Sequence, residues 1–267
     1  MRELMKKSSL LIGVLALLLT LAPTFMIAQD KTGDPKKGAE ILDKFVEASG
    51  GKAAYAKIDN RYQKGTLSMP AMNISLTTEA WMAKPNLVYF KAESPELGVI
   101  ERGYDGTTFW EKSMMTGPRI LEGDELAESK LEAQFDGLSH WRDLYKSAMF
   151  VGEDSVNGKL ADKVVVTSND GKDQTLFFDK DSHLLTKVNF VSESQMGDVP
   201  VNVFVGDYRD VDGLKISFNS KIDVMGQERV MTVDSLAQNV ELPKGIFDIP
   251  QDILDLQKSQ DSTRTGE

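Results

Sequence analysis

Few side chains in this sequence are equipped for chemistry. There are two histidines in 267 residues and no cysteine. A hydrolytic site needs a nucleophile, a base and an orienting acid within hydrogen-bond reach. His183 stands near Asp179 and Asp181, where a base and two carboxylates coincide, and His140 stands beside Trp141. Neither histidine lies in a G-x-S-x-G setting, and a thiol nucleophile is excluded. Asp179-Lys180-Asp181-Ser182 is turn-forming composition. His183 therefore reads as a solvated turn residue and His140 as a helix-surface residue. Hydrolysis at His183 stands only as a third functional reading behind the two given below.

Metal chemistry is no better served. The histidines form no H-E-x-x-H pair, and zinc thiolates are absent. Asp207, Asp210 and Asp212 before Gly213 have the look of a calcium loop. Counted from Asp210, however, Leu214 and Lys221 stand where the fifth and twelfth positions need oxygen ligands. No glycine-rich phosphate loop follows a strand and opens a helix. The sequence therefore assigns no catalytic residue, no metal ligand and no cofactor. What remains is apolar volume. Met69, Met72, Met82, Met114, Met115, Met149, Met196, Met225 and Met231 are flexible side chains, suited to filling gaps or accepting varied apolar shapes.

Any such volume must be enclosed by the surrounding elements, which are mainly strands. From Val199 to Ser235 the pattern predicts three long antiparallel strands. In the middle one Leu214, Ile216, Phe218, Ile222 and Val224 alternate with Lys215, Ser217, Asn219, Lys221 and Asp223. Asp212-Gly213 and Gly226-Gln227 supply the turns. Strands are also predicted at 61–69, 72–82, 87–92, 97–103, 107–112, 150–156, 163–167, 174–178 and 184–191, joined by Pro70-Ala71, Lys84-Pro85-Asn86, Asp105-Gly106, Asn157-Gly158 and similar turns. Helices are predicted in two places. Asp34-Pro35 caps the first, whose stripe is Ile41, Leu42, Phe45 and Ala48 and which ends at Gly50-Gly51. Gly123 to Ser147 gives a second pair with a break near Asp136-Gly137 and an apolar face directed at the sheet. So few helices cannot cover both faces of a dozen strands. The sheet must cover itself as a barrel, half-barrel or sandwich, and long strands with nearest-neighbour turns favour a single curled sheet.

The chain opens with Arg2, Lys6 and Lys7 before an apolar run from Leu10 to Leu21, then Ala28. This reads as a signal peptide at 1–28, with export to the periplasm. Residues 29–250 then form one domain and 251–267 a polar, frayed tail. A net charge of −10 argues against nucleic acid and anionic surfaces.

The order of elements also carries a resemblance. A helix ending ILDKFVEASGG leads into a meander, then GYDGTTFW, a helical pair ending WRDLYKS, the pairs LFFDKDSHLLTKV and GDYRDVDGLKISF, and a closing NVELPKGIFDIP. This resembles the LolA-like superfamily of periplasmic outer-membrane lipoprotein carriers and sorting proteins. The resemblance implies a mainly β fold with a few helices: a long-stranded antiparallel incomplete barrel (half-barrel) lidded by helices, with Gly123 to Ser147 as the lid. It implies a non-enzymatic carrier that holds acyl chains of lipids or lipoproteins in an apolar cavity. Envelope proteins and a transient membrane contact are its further partners. The alternative is an envelope-sensing or protein-recognition module on the same fold. Met72, Ile74, Leu76, Phe90, Trp110, Trp141, Phe178, Phe190 and Phe218 are the expected cavity residues. Arg61 is the nearest match by position to the family's lid-locking arginine, although by its own pattern it reads as a surface residue.

Overall fold

The computed structural model describes residues 32–194 and 197–265. The leader at 1–28 and Met196 lie outside the described residues. Helix α1 spans Pro35–Ala48 and α2 Lys52–Tyr55. Asp34 Oδ1 accepts from the Lys36 and Lys37 amides at 2.9 and 3.0 Å, and Pro35 fills the first turn, as the sequence predicts. Gly50 and Gly51 end the helix at φ 134° and 78°, values that a side chain would resist.

Thirteen strands follow: β1 Asn60–Met69, β2 Ile74–Ala83, β3 Leu87–Ser94, β4 Gly98–Tyr104, β5 Phe109–Ser113, β6 Gly117–Ile120, β7 Tyr145–Val156, β8 Lys159–Ser168, β9 Asp173–Asp179, β10 Leu185–Ser194, β11 Gly197–Val211, β12 Leu214–Val224 and β13 Gln227–Gln238. They form one antiparallel sheet in the order β6-β5-β4-β3-β2-β1-β13-β12-β11-β10-β9-β8-β7. Two meanders are thus joined where β1 pairs with β13. The sheet stays open, with β6 and β7 as its edges, and has the architecture of an incomplete barrel lidded by helices. A one-residue bulge at Lys64/Gly65 marks the join. A Cβ on Gly65 would lie 2.2 Å from the Thr232 carbonyl oxygen, so the site requires glycine.

The chain crosses from one edge to the other through α3 Gly123–Glu132, a 3-10 turn at Gly137–His140 and α4 Trp141–Leu144. This connection is the lid, and its break falls at Asp136, which adopts φ 50°. Helix α1 covers the β7–β9 end of the same face. Ile41, Leu42, Phe45 and Val46 pack there with Val164, Val166, Leu176 and Phe178. Gly38 permits that approach, since a Cβ would lie 2.4 Å from the Ala148 carbonyl oxygen.

Two features depart from the sequence reading. Strand β6 was not expected. The segment expected to be a frayed tail forms α5, Gln251–Thr265, which packs on β6 with Ile253 fully buried.

Candidate ligand-binding face and lid

The face under the lid is defined by pairing. Gln63, Ala80, Phe90, Arg102, Glu111 and Arg119 are successive cross-strand partners from β1 to β6. They share one face of the sheet. Arg102 and Arg119 identify it as the lid side, because both reach α3. Arg102 Nη2 donates to Ser129 Oγ at 3.1 Å, and Arg119 makes a two-pronged pair with Glu125 at 2.8 and 2.7 Å. By alternation Ile74, Leu76 and Ile100 also lie on this face. From the other meander, Val188, Phe190, Val201 and Val203 face them. Leu76 is buried, but Ile74, Phe90, Ile100, Phe190 and Val203 are only half-buried.

Helix α3 bridges these two walls. On one side Leu126 and Ala133 pack against Tyr104, Phe109 and Leu121. On the other, Ser192 Oγ donates to Glu128 Oε2 at 3.0 Å. The sequence predicts an apolar helix face against the sheet, and Leu126 and Leu131 supply it by packing against the apolar clusters at either side. Glu125, Glu128 and Ser129 add hydrogen bonds at the margins of the helix. Glu132, on the same helix, is reached by solvent. Even so, enclosure by surrounding protein pushes its carboxyl up; Arg102 opposes the shift and Glu128 adds to it.

The lid is fastened at its break. Asp136 accepts from Arg61 Nη2 through both carboxylate oxygens, at 3.0 and 3.2 Å, and Gln238 Oε1 lies 3.4 Å from the same nitrogen. The guanidinium lies over the Phe135 ring at 5.1 Å, and Phe135 is buried against Ile58 and Leu214. Arg61 is 8% exposed, so it is not a surface residue. Beside this latch is a cleft of about 360 Å³ lined by Lys52, Tyr55, Lys84, Pro85, Phe135 and His140, among others. Further along, Arg142 pairs with both oxygens of Asp43 at 2.6 and 2.8 Å, and Trp141 Nε1 donates to the same carboxylate at 3.2 Å. The Arg142 hydrogen bond holds the Asp43 carboxyl below its usual range, against a smaller desolvation effect.

The expected cavity residues separate into groups. Ile74, Leu76, Phe90 and Phe190 lie on the lid-facing side. Trp141 and Phe178 are in the packed core beneath α1, where Phe178 meets Phe45 at 5.5 Å. They fill space rather than line it. Phe218 is buried, with the Arg209 guanidinium 4.3 Å from its ring. Met72 is half-exposed at a hairpin tip. Trp110 is on the opposite face. It pairs with Gly103, next to the lid-facing Arg102, and lies so close that a Cβ on Gly103 would meet the indole at 2.5 Å.

The Asp179 carboxylate, weighed for catalysis, has structural partners. Asp179 accepts from the Asp181 and Ser182 amides and the Ser182 hydroxyl. Burial alone would raise its carboxyl, but these hydrogen bonds hold it below the usual range. His183 is a turn residue at φ 58°. Among the described residues no group of three or more His, Asp or Glu could hold a metal. Asp136, Glu128 and Glu132 were not anticipated. The break at Asp136-Gly137 was the one available signal.

No family model and no curated protein matches this chain. Solved structures do. A DUF1329 family protein from Desulfovibrio piger is 14% identical, with a TM-score of 0.57 over 80% of this chain and 98% of that one. A candidate outer membrane lipoprotein-sorting protein domain from Vibrio parahaemolyticus is 11% identical, with a TM-score of 0.53 over 80% and 97%. A LolA superfamily protein from Nitrosomonas europaea is 14% identical, with a TM-score of 0.53 over 79% and 97%. The open antiparallel sheet and the lid between its edges are therefore those of the LolA-like fold.

Proposed function

We propose that this chain is a carrier of the cell envelope that holds acyl chains of a lipid or lipoprotein on the lid-facing side of the sheet, beneath α3. The observation that carries the reading is the state of that face. Large apolar side chains (Ile74, Phe90, Ile100, Phe190) remain half-buried, while the helix above them is fastened at its margins by hydrogen bonds to Arg102 and Ser192. Half-buried apolar surface beneath a bridging helix suits a removable apolar ligand. Each methylene buried there would contribute about 0.8 kcal/mol. The exported-leader pattern and the descriptions of the Vibrio parahaemolyticus and Nitrosomonas europaea neighbours support the same reading.

The test uses protein purified from the envelope fraction of its host. It is expected to enhance the fluorescence of 1-N-phenylnaphthylamine and to release the dye to a long-chain fatty acid. Phe90→Asp, which places a carboxylate on the half-buried face, is expected to lose dye binding while keeping its circular dichroism spectrum. Unchanged binding by the folded variant would exclude this face. No uptake of any amphiphile by the wild type would favour a protein-recognition module on the same scaffold.

A further inference from the structure

The two rims of the half-barrel differ in a way that the fold does not require. In an antiparallel meander successive hairpin tips alternate between rims. One rim carries the tips at 84–86, 105–108, 157–158, 180–184 and 212–213, with Asp105-Gly106, Asn157-Gly158 and Asp212-Gly213 among them. These are ordinary turn residues, with Leu160, 51% exposed, as the one large exposed apolar side chain beside them among the described residues. The other rim carries the tips at 70–73, 95–97, 114–116, 169–172 and 225–226. Four methionines stand there: Met72 at 49% exposure, Met114 at 82%, Met115 at 65% and Met225 at 72%. Among the described residues they are the only methionines in the set of large exposed apolar side chains, and all fall on one rim. Met225 also adopts φ 54°, where Asn or Gly is favoured and a bulky side chain is uncommon. Neither turn geometry nor solvation explains a methionine at that position.

We propose that this rim is a membrane-contact surface whose methionine tips enter the interfacial region of a zwitterionic phospholipid bilayer. The proposal rests on the carrier reading, because this rim borders the face that would receive acyl chains from such a bilayer. The arrangement favours a fluid partner over a protein. The tips are separate points, roughly 20 Å apart between the β5–β6 and β1–β2 hairpins and roughly 10 Å between β1–β2 and β12–β13, given the usual strand spacing. Polar residues stand within two positions of each one: Ser113 and Thr116, Asn73, and Asp223 with Gln227. A protein partner would call for a contiguous apolar patch. A bilayer interface accepts isolated apolar tips set in a polar border. Methionine adapts to such surroundings at little conformational cost. With a net charge of −10, attraction to anionic lipid does not recruit the chain, so contact depends on apolar insertion. No described helix is long and apolar enough to cross a membrane, and this contact is peripheral.

The experiment is flotation of envelope-purified protein with phosphatidylcholine/phosphatidylethanolamine vesicles. The variant carries Met72→Ser, Met114→Ser, Met115→Ser and Met225→Asn. Asn suits the left-handed turn, so thermal unfolding is expected to be unchanged or higher at that position. Wild-type flotation is expected at both low and high salt, with partition about 100-fold weaker in the variant. Dye binding is expected to stay intact in the wild type and in the Met114→Ser/Met115→Ser pair. If the fourfold variant fails to fold, Met225→Asn alone and the Met114→Ser/Met115→Ser pair are each expected to weaken flotation. Equal flotation of wild type and a folded variant overturns the proposal, as does a wild type that ignores vesicles. Concentration-dependent self-association lost in the variant, without vesicle binding, would assign the rim to a second copy. Vesicle binding without dye binding would retain the rim and reject the carrier reading.

Discussion

Asp136 combines a left-handed backbone, the break in the lid and both oxygens on the nearly buried Arg61. Asp136→Asn keeps a residue that tolerates that backbone and removes the charge. Arg61 would then keep only weaker partners, and its Nε already lacks one. The expected cost is about 1–3 kcal/mol, the range for a nearly buried charged hydrogen bond left short of its partner. Hydrogen exchange over 123–144 is expected to quicken more than exchange in the β7–β9 core. A uniform change across the chain would mean that the pair supports the whole fold rather than the lid. The family resemblance pointed to Arg61 as a lid-locking residue, but the local pattern of the sequence did not. Arg61, Gln63 and Gly65 alternate with Tyr62, Lys64 and Thr66, so neither side of β1 reads clearly as dry. The partner of Arg61 lies 75 residues away, outside any local pattern.

At the scale of elements, turn chemistry was the most readable signal. Asn157-Gly158, Asp212-Gly213 and Gly226 each fall at a hairpin where expected. Strand β6 was hidden because Gly117 and Pro118 read as breakers. A proline is tolerated there because β6 is an edge strand that pairs only with β5. Helix α5 was hidden because its apolar content is low, yet Ile253 anchors it completely and Asp252 stands 3.8 Å from Lys112. The helix packs on a short edge strand whose outer backbone groups lack a strand partner, and shielding of that edge is the expected role. Ile253→Ala is expected to destabilise the protein by about 2–5 kcal/mol if α5 melts with the rest of the fold. If it detaches alone, the loss appears as faster exchange in β5 and β6 with little change in the main unfolding transition. Unchanged exchange in both strands would show that α5 does not protect the edge.

For the whole molecule, the strand count made a self-covering sheet legible, since two helical regions cannot cover thirteen strands. How the barrel fails to close was not legible, because it depends on pairing between β1 and β13, at opposite ends of the domain. The lid is the covalent link between the two free edges, and its contacts tie one wall to the other. The Arg61 latch holds its break, and the Glu128–Ser192 hydrogen bond holds α3 to the far wall. If acyl chains enter beneath α3, fixing that helix to β10 must block entry without altering the binding face. The absence of cysteine makes the test clean. Glu128→Cys with Ser192→Cys places one thiol pair across the gap, where a short bis-methanethiosulfonate can bridge it reversibly. Dye uptake is expected to slow by about tenfold or more while the bridge holds and to recover on reduction. Uptake at the same rate in the bridged protein would mean that ligand reaches the sheet by another route, with the methionine-tipped rim the remaining opening to test.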